Sequence, residues 1–280
     1  MITEIAKVRA LAVPLTMMHY GVIGLRNASM TRRFPVSRLN DDRVQKLLDT
    51  LDRDGWVVVE GHIPKHKCDE VVALLDRTFD RRPERMRTEY AGAEYRYFGS
   101  EDLGRPILDF FSDPFLHSIA EAYVRTKVVN IATLANKSLP VKEEAHIKDR
   151  WHRDSFGRQI KAIAYMCDVD ERNGAFEFVP GSHRLPRILA DLYRSKLKAF
   201  QWRLSDEEVA DLVRASGMAP KNFMAPAGSV VLVNTCIVHR ASPVNTGLRY
   251  ALTNYYVEKA RYRPQVANAL GVPFRSQDAM

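Results

Sequence analysis

His152-Arg153-Asp154, followed far downstream by His239 and, ten residues later, by Arg249, is the set of side chains in this 280-residue chain best suited to chemistry. Two positions apart on a β-strand, side chains share a face, so His152 and Asp154 can converge on one point. A histidine from a distant strand would complete two neutral nitrogens and one carboxylate. That donor set is the facial triad that holds non-haem Fe(II) and leaves positions open for substrate and oxygen. Arg249 would supply the fixed cation that a dicarboxylate co-substrate needs.

Other chemistries use some of these letters. His-Arg-Asp also opens the catalytic loop of protein kinases, but the position five past Asp154 is Gln159 rather than Asn. No Asp-Phe-Gly follows, and no glycine-rich phosphate loop precedes. A buried His152–Asp154 hydrogen-bonded pair would explain neither His239 nor Arg249. Two histidines and a carboxylate also suit zinc, although no His-Glu-x-x-His helix accompanies them.

The elements that must position these residues can be read from periodicity. Residues 1–38 show no clean period and read as a basic N-terminal arm; residues 39–280 read as one domain. Asn40 looks like an N-cap for a helix carrying Val44, Leu47, Leu48 and Leu51, which Asp54-Gly55 ends ahead of the strand Trp56–Val59. A second helix follows Pro64, and a third starts at Ser112-Asp113-Pro114. Residues 81–104 read as an irregular, charged and aromatic loop. From 127 the pattern turns β-like, with expected strands at 127–135, 145–153, 160–168, 175–179, 229–236 and 248–257. A helical insertion at 184–224 interrupts them, marked by the capping box Ser205–Glu208. Helices first and short strands after suggest a barrel-like β-sandwich braced by helices.

Hydrophobic content of 46% and charged content of 27% are ordinary for a soluble globular protein. Cys68, Cys167 and Cys236 are far apart and odd in number, which reads as reduced thiols in a cytoplasmic protein. No apolar run reaches the roughly 18–20 residues of a membrane span. The net charge of +8 is partly concentrated in residues 1–38, where six Lys and Arg face Glu4 alone. Such a segment could touch anionic headgroups or an acidic substrate; the other reading is a solvated arm or an oligomer contact. Nucleic acid is not expected, because no zinc finger, helix-turn-helix or stacking platform accompanies the charge.

Trp151-His152-Arg153-Asp154, Asn173-Gly174, Pro180-Gly181-Ser182-His183, Gly228, His239 and Arg249, with Asp54-Gly55-Trp56 upstream, together resemble the phytanoyl-CoA dioxygenase family. The likeness covers about residues 40–258. It implies a mainly β fold with flanking helices around a double-stranded β-helix, a jelly-roll or cupin-like core. It also implies Fe(II), 2-oxoglutarate as co-substrate and O2. His152, Asp154 and His239 become the iron ligands, and Arg249 the partner of the distal carboxylate of 2-oxoglutarate. Lys137 matches a lysine that relatives carry before the metal motif; it would hold a carboxylate or simply be a solvated strand-end residue. Where the family often has serine two residues after the distal histidine, this chain has Ala241, with Ser242 one later. Where it often has serine two residues after the arginine, this chain has Ala251, and Thr253 shares the face of Arg249. His183 matches a turn motif and is expected to be structural.

The resemblance implies oxidative decarboxylation of 2-oxoglutarate coupled to attack on an unactivated C–H bond, usually as hydroxylation, with desaturation or ring formation still open. Asp154 argues against halogenation, since halogenases of this kind free a metal position by replacing the carboxylate. The substrate is expected to be a small polar or anionic molecule, glycan-linked or CoA-linked. Tyr95, Arg96, Tyr97, Arg158, Gln159, Lys161 and Trp202 are candidate contacts, Gln159 and Lys161 by sharing a strand face. The loop 81–104 and the insertion 184–224, with Phe200 and Trp202, are expected to flank the mouth; the alternative is that both cover the outside of the barrel. A non-catalytic β-helix binding module and a zinc hydrolase are the competing classes.

Overall fold

The run Val230–Val233 is buried along its whole length, so its strand must be covered on both faces, and that requirement sets the layers. In the computed structural model, which describes residues 9–33, 41–89, 92–140, 151–194 and 197–274, two antiparallel sheets lie face to face. The larger sheet has the order β1 (Trp56–Val59), β10 (Val230–Asn234), β6 (Ile160–Tyr165), β12 (Arg249–Glu258), β4 (Val128–Ser138), β3 (Glu94–Phe98) and β2 (Met86–Glu89). The smaller has β8 (Arg203–Leu204), β5 (Trp151–His152), β11 (His239–Ala241), β7 (Phe176–Phe178) and β9 (Lys221–Phe223). Non-sequential neighbours throughout the small sheet, and from β1 to β4 in the large one, give the jelly-roll topology that the double-stranded β-helix requires, as expected.

Alternation along the strands divides the core. Inner residues of the large sheet, among them Ile163, Tyr165, Val231 and Ala251, meet Phe176 and Phe178 of the small sheet. Outer residues such as Ala162, Leu232, Tyr250 and Leu252 meet four helices: α2 (Asp42–Asp54), α3 (Lys65–Asp80), α4 (Arg105–Phe111) and α5 (Pro114–Val124). These helices bury one stripe each, for example Cys68, Val71, Leu75 and Phe79 on α3. The α2 cap is Asp41, which accepts from the amides of Arg43 and Val44, one residue after the expected Asn40. Asp113 caps α5, and the Ser205–Glu208 capping box opens α7 (Asp206–Ser216) as expected.

Several expectations need correction. Residues 9–33 of the supposed arm form helix α1 (Arg9–Arg33), which escaped notice because it is apolar on most sides and has no period. Ala12 and Thr16 are buried, with Val13 and Tyr20 packed against α6 (Leu185–Arg194) and the small sheet. Residues 81–104 contain the β2–β3 hairpin, paired from Met86↔Tyr97 to Glu89↔Glu94, rather than an irregular loop. Of the expected strand 145–153, the described part is only Trp151–His152; residues 141–150 lie outside the described residues. The insertion is not purely helical either. Its β8 pairs with β5 and its β9 with β7, so it closes both edges of the small sheet.

Gly55 joins α2 to β1 in the left-handed region, with φ of 86°. A β-carbon there would lie 2.5 Å from Nδ1 of His183, whose Nε2 donates to the Asp52 carbonyl at 3.2 Å. Burial pushes the His183 imidazole down to about 4, so it is neutral near neutral pH and acts as a packed, hydrogen-bonded spacer. Gly55→Ala is expected to lower stability by about 1–3 kcal/mol through backbone strain and overpacking. Urea unfolding should show a lower midpoint with an unchanged slope; an unchanged midpoint would mean that the His183 turn yields freely.

Candidate active site

β11 lies between β5 and β7, with His239 directly opposite His152 on one side and Phe178 on the other. This register brings the two imidazole centroids to 4.3 Å. Asp154 lies just past the short β5 and is tied back by its amide, which donates to the Thr235 carbonyl at 2.9 Å. Its carboxylate oxygens sit 3.6 Å from Nε2 of His152 and 3.4 Å from Nε2 of His239. One ligand atom from each residue lies within 4.8 Å of the others. Donors about 2.1 Å from one ion at right angles would be roughly 3 Å apart, so a small contraction suffices to coordinate a metal.

The histidine chemistry fits. Nδ1 of His239 is 2.8 Å from the Ile237 carbonyl, which can only accept, so Nδ1 carries the proton and Nε2 offers its lone pair. Burial alone would raise the Asp154 carboxyl, but Lys161, His239 and His152 hold it well below the usual carboxylate range. Lys161 donates to the second Asp154 oxygen at 2.8 Å and lies 4.4 Å over the Tyr255 ring. Burial and Arg96 oppose its charge; Asp154 and Tyr255 outweigh them and keep it protonated.

Arg249 is buried at the start of β12. One of its terminal nitrogens donates to the Gly174 carbonyl and the other to Ser138 Oγ at 3.0 Å. Its Nε is buried without a hydrogen-bond partner, and among the described residues no carboxylate pairs with it. A buried guanidinium with neutral acceptors only is a strongly unfavourable arrangement unless an anion joins it. The residues present therefore suit both a divalent ion and a carboxylate ligand. Gly174, with φ of 86°, permits the approach, because a β-carbon would meet Val244 at 2.8 Å and the guanidinium at 3.4 Å.

The structure brings some candidates to this interior and not others. Thr253 lies on the same inner face as Arg249, opposite Leu134 and Ile163. Lys137 does not reach the site: it shares a cross-strand position with Tyr250 on the outer face and pairs with Asp76 of α3 at 2.6 Å. Ser242 also points away, its hydroxyl lying 3.3 Å from Glu177, which pairs with Arg240. The hydroxyl beside Arg249 comes instead from Ser138. With Asn136 and Glu94 it forms a chain, Asn136 donating to Ser138 at 3.3 Å and to Glu94 at 3.1 Å. Arg96 extends that chain by pairing with Glu94 at 3.0 Å. Tyr95 and Tyr97 occupy the opposite face of the hairpin, in the core beneath α3, and are not substrate contacts.

A cavity of about 620 Å³ opens beside Asp154. Arg158 and Gln159 line it, yet Arg158 is tied to Asp52 and to the Tyr123 carbonyl, and Gln159 bonds Thr235. Trp202 is 55% exposed beneath the Arg203 guanidinium and is not among the lining residues. Sequence reasoning missed His19 and Ile23 of α1, Phe156, and the C-terminal residues Val257 and Val266, all at this cavity, which Arg261 also lines. Phe200, flagged only as part of the insertion, lines it with φ of 58°, a conformation rare for a bulky residue, and packs on His19 and Phe156. The insertion thus reaches the cavity through Phe200, and the hairpin faces the barrel interior through Arg96.

Comparison with known proteins agrees with this geometry. The sequence pattern of the family described as phytanoyl-CoA dioxygenase (PhyH) matches residues 51–250. Among solved structures, the epimerase SnoN in complex with Fe3+, alpha ketoglutarate and nogalamycin RO superposes with a TM-score of 0.64 at 19% identity, over 85% of this chain and 93% of that one. EctD from S. alaskensis with 2-oxoglutarate and 5-hydroxyectoine gives 0.64 at 15% identity, over 81% of each chain. HygX from Streptomyces hygroscopicus with nickel and 2-oxoglutarate gives 0.53 at 16%, over 77% of this chain and 87% of that one. Curated proteins compared by sequence give no significant match. The family pattern covers well over half of the residues, so this chain belongs to the phytanoyl-CoA dioxygenase (PhyH) family and is an iron- and 2-oxoglutarate-dependent oxygenase that uses O2.

Proposed function

We propose that this enzyme hydroxylates an unactivated C–H bond of a small polar or anionic metabolite, sugar-linked or CoA-linked, with His152, Asp154 and His239 holding Fe(II) and Arg249 holding the distal carboxylate of 2-oxoglutarate. The observation that carries the reading is the pairing of a converged two-histidine, one-carboxylate donor set with a buried arginine that has no carboxylate partner among the described residues. A zinc hydrolase or a binding module would have no use for that arginine. The EctD structure, which holds 5-hydroxyectoine, is a precedent for hydroxylation on this fold, as the SnoN epimerase is for another outcome. The three cysteines are free thiols, which supports a cytoplasmic enzyme.

Bound iron with 2-oxoglutarate and O2 would supply the oxidising power. The chain's own residues do the rest. The Ile237 carbonyl fixes the His239 tautomer, and Lys161 anchors the Asp154 oxygen that faces His239 while the other oxygen faces His152. Gly174 and Ser138 aim the Arg249 guanidinium while leaving its charge unneutralised. Ile23, Phe156 and Phe200 provide apolar walls that exclude water, and Arg261 at the rim supports an anionic group on the substrate.

Anaerobic addition of Fe(II) and 2-oxoglutarate should produce a visible metal-to-ligand charge-transfer band without any substrate; its absence would defeat the reading. His239→Ala should abolish the band and Fe(II) binding while leaving the circular dichroism spectrum unchanged. Arg249→Ala should retain Fe(II) binding but weaken 2-oxoglutarate by about 3–5 kcal/mol, a few hundredfold or more. Equal 2-oxoglutarate affinity in that variant would remove Arg249 from the site.

A further inference from the structure

The outer face of α1 differs from the rest of the surface. Among the described residues twelve large hydrophobic side chains are exposed, and five of them, Leu11, Met17, Met18, Val22 and Leu25, belong to this one helix. Leu11, Met18, Val22 and Leu25 recur on one side over roughly 21 Å, with Pro14 and Gly21 between them. No Lys, Arg, Asp or Glu occurs from Leu11 to Leu25. The opposite side carries Ala12 and Thr16, which are buried, and His19 and Ile23, which line the cavity. A helix apolar all round is normally covered all round. Among the described residues, this one is covered on one side.

Charge identifies what covers the other. The helix has Arg9 at its start, Arg26, Arg32 and Arg33 toward its end, and no acidic residue. Because both ends are basic in sequence, a second copy packed along the stripe would bring ends of like charge together in either orientation. An anionic bilayer suits both features: acyl chains would take the apolar stripe, and negative headgroups complement the basic sequence of the helix ends. We propose that α1 docks this enzyme on the surface of an anionic lipid bilayer, its outer stripe immersed in the interface. Among the described residues no helix is long and apolar enough to cross a membrane, so the contact is peripheral. Since the inner side of the same helix lines the cavity, docking would set the mouth beside the bilayer.

Co-sedimentation of the full-length protein with vesicles tests this. Binding to phosphatidylcholine mixed with phosphatidylglycerol should be at least about tenfold tighter than to phosphatidylcholine alone, and should weaken with salt. Met18→Glu/Val22→Glu should abolish binding with the circular dichroism spectrum unchanged, and Arg32→Glu/Arg33→Glu should weaken it independently of the apolar stripe. Absent binding, equal binding to both vesicles, or unchanged binding in both variants overturns the proposal. Light scattering without lipid supplies a further arm: a dimer that Met18→Glu/Val22→Glu dissociates would assign the stripe to a second copy and also overturn it.

Discussion

The chemistry rests on the register between a strand of two residues and a strand of three. His239 faces His152 because β11 pairs with β5 at that one position, and a slip of a single residue would turn the imidazole to the other face. So short a contact cannot hold itself. The small sheet is completed on one edge by β8 against β5 and on the other by β9 against β7, both from the segment between Leu185 and Phe223. The insertion is therefore a brace for the strands that carry the candidate metal ligands as much as a wall of the cavity. Arg153 adds to this by reaching from between the two motif residues to the carbonyls of Ser182 and Cys236, which fastens the turn and the loop that flank β11.

Much of this was legible in the sequence. The donor types are chemical letters, and their order survives any uncertainty about strand boundaries. Long strands such as β4 and β12 declared themselves by composition, and helices α2, α3, α5 and α7 by stripes and caps. What failed did so for physical reasons. β11 is too short for a period, and the charged and aromatic β2–β3 hairpin hides its alternation at a sheet edge. Helix α1 is apolar on most sides, so no face stood out. Lys137 and Ser242 were the right residue types in the right neighbourhood but on the wrong side of their backbones, and sidedness depends on register that only the pairing with β12 and β7 decides. The signal for Ser138 was available: it follows Lys137 by one residue and so takes the opposite face of β4.

The charge distribution also changes how the basic composition should be read. The cations nearest the metal motif are already engaged, Lys161 by Asp154, Arg158 by Asp52 and Arg96 by Glu94. They shape the site more than they advertise for an anionic substrate. The charge that is left uncompensated within the barrel is Arg249, among the described residues, and the surplus elsewhere includes the arginines of α1.

Arg249 is aimed by two oxygens that carry no formal charge, the Gly174 carbonyl and the Ser138 hydroxyl. A carboxylate in either place would hold the guanidinium just as firmly and would quench it. Asn173 secures the same turn by donating to the carbonyls of Asp168 and Leu248, the latter immediately before Arg249. The ligand-free barrel is thus frustrated: its interior contains a cation with no counter-ion among the described residues. If Arg249 holds the co-substrate as proposed, that molecule is a missing piece of the fold as well as a reagent, and its arrival would relieve an instability that the chain carries for as long as it waits.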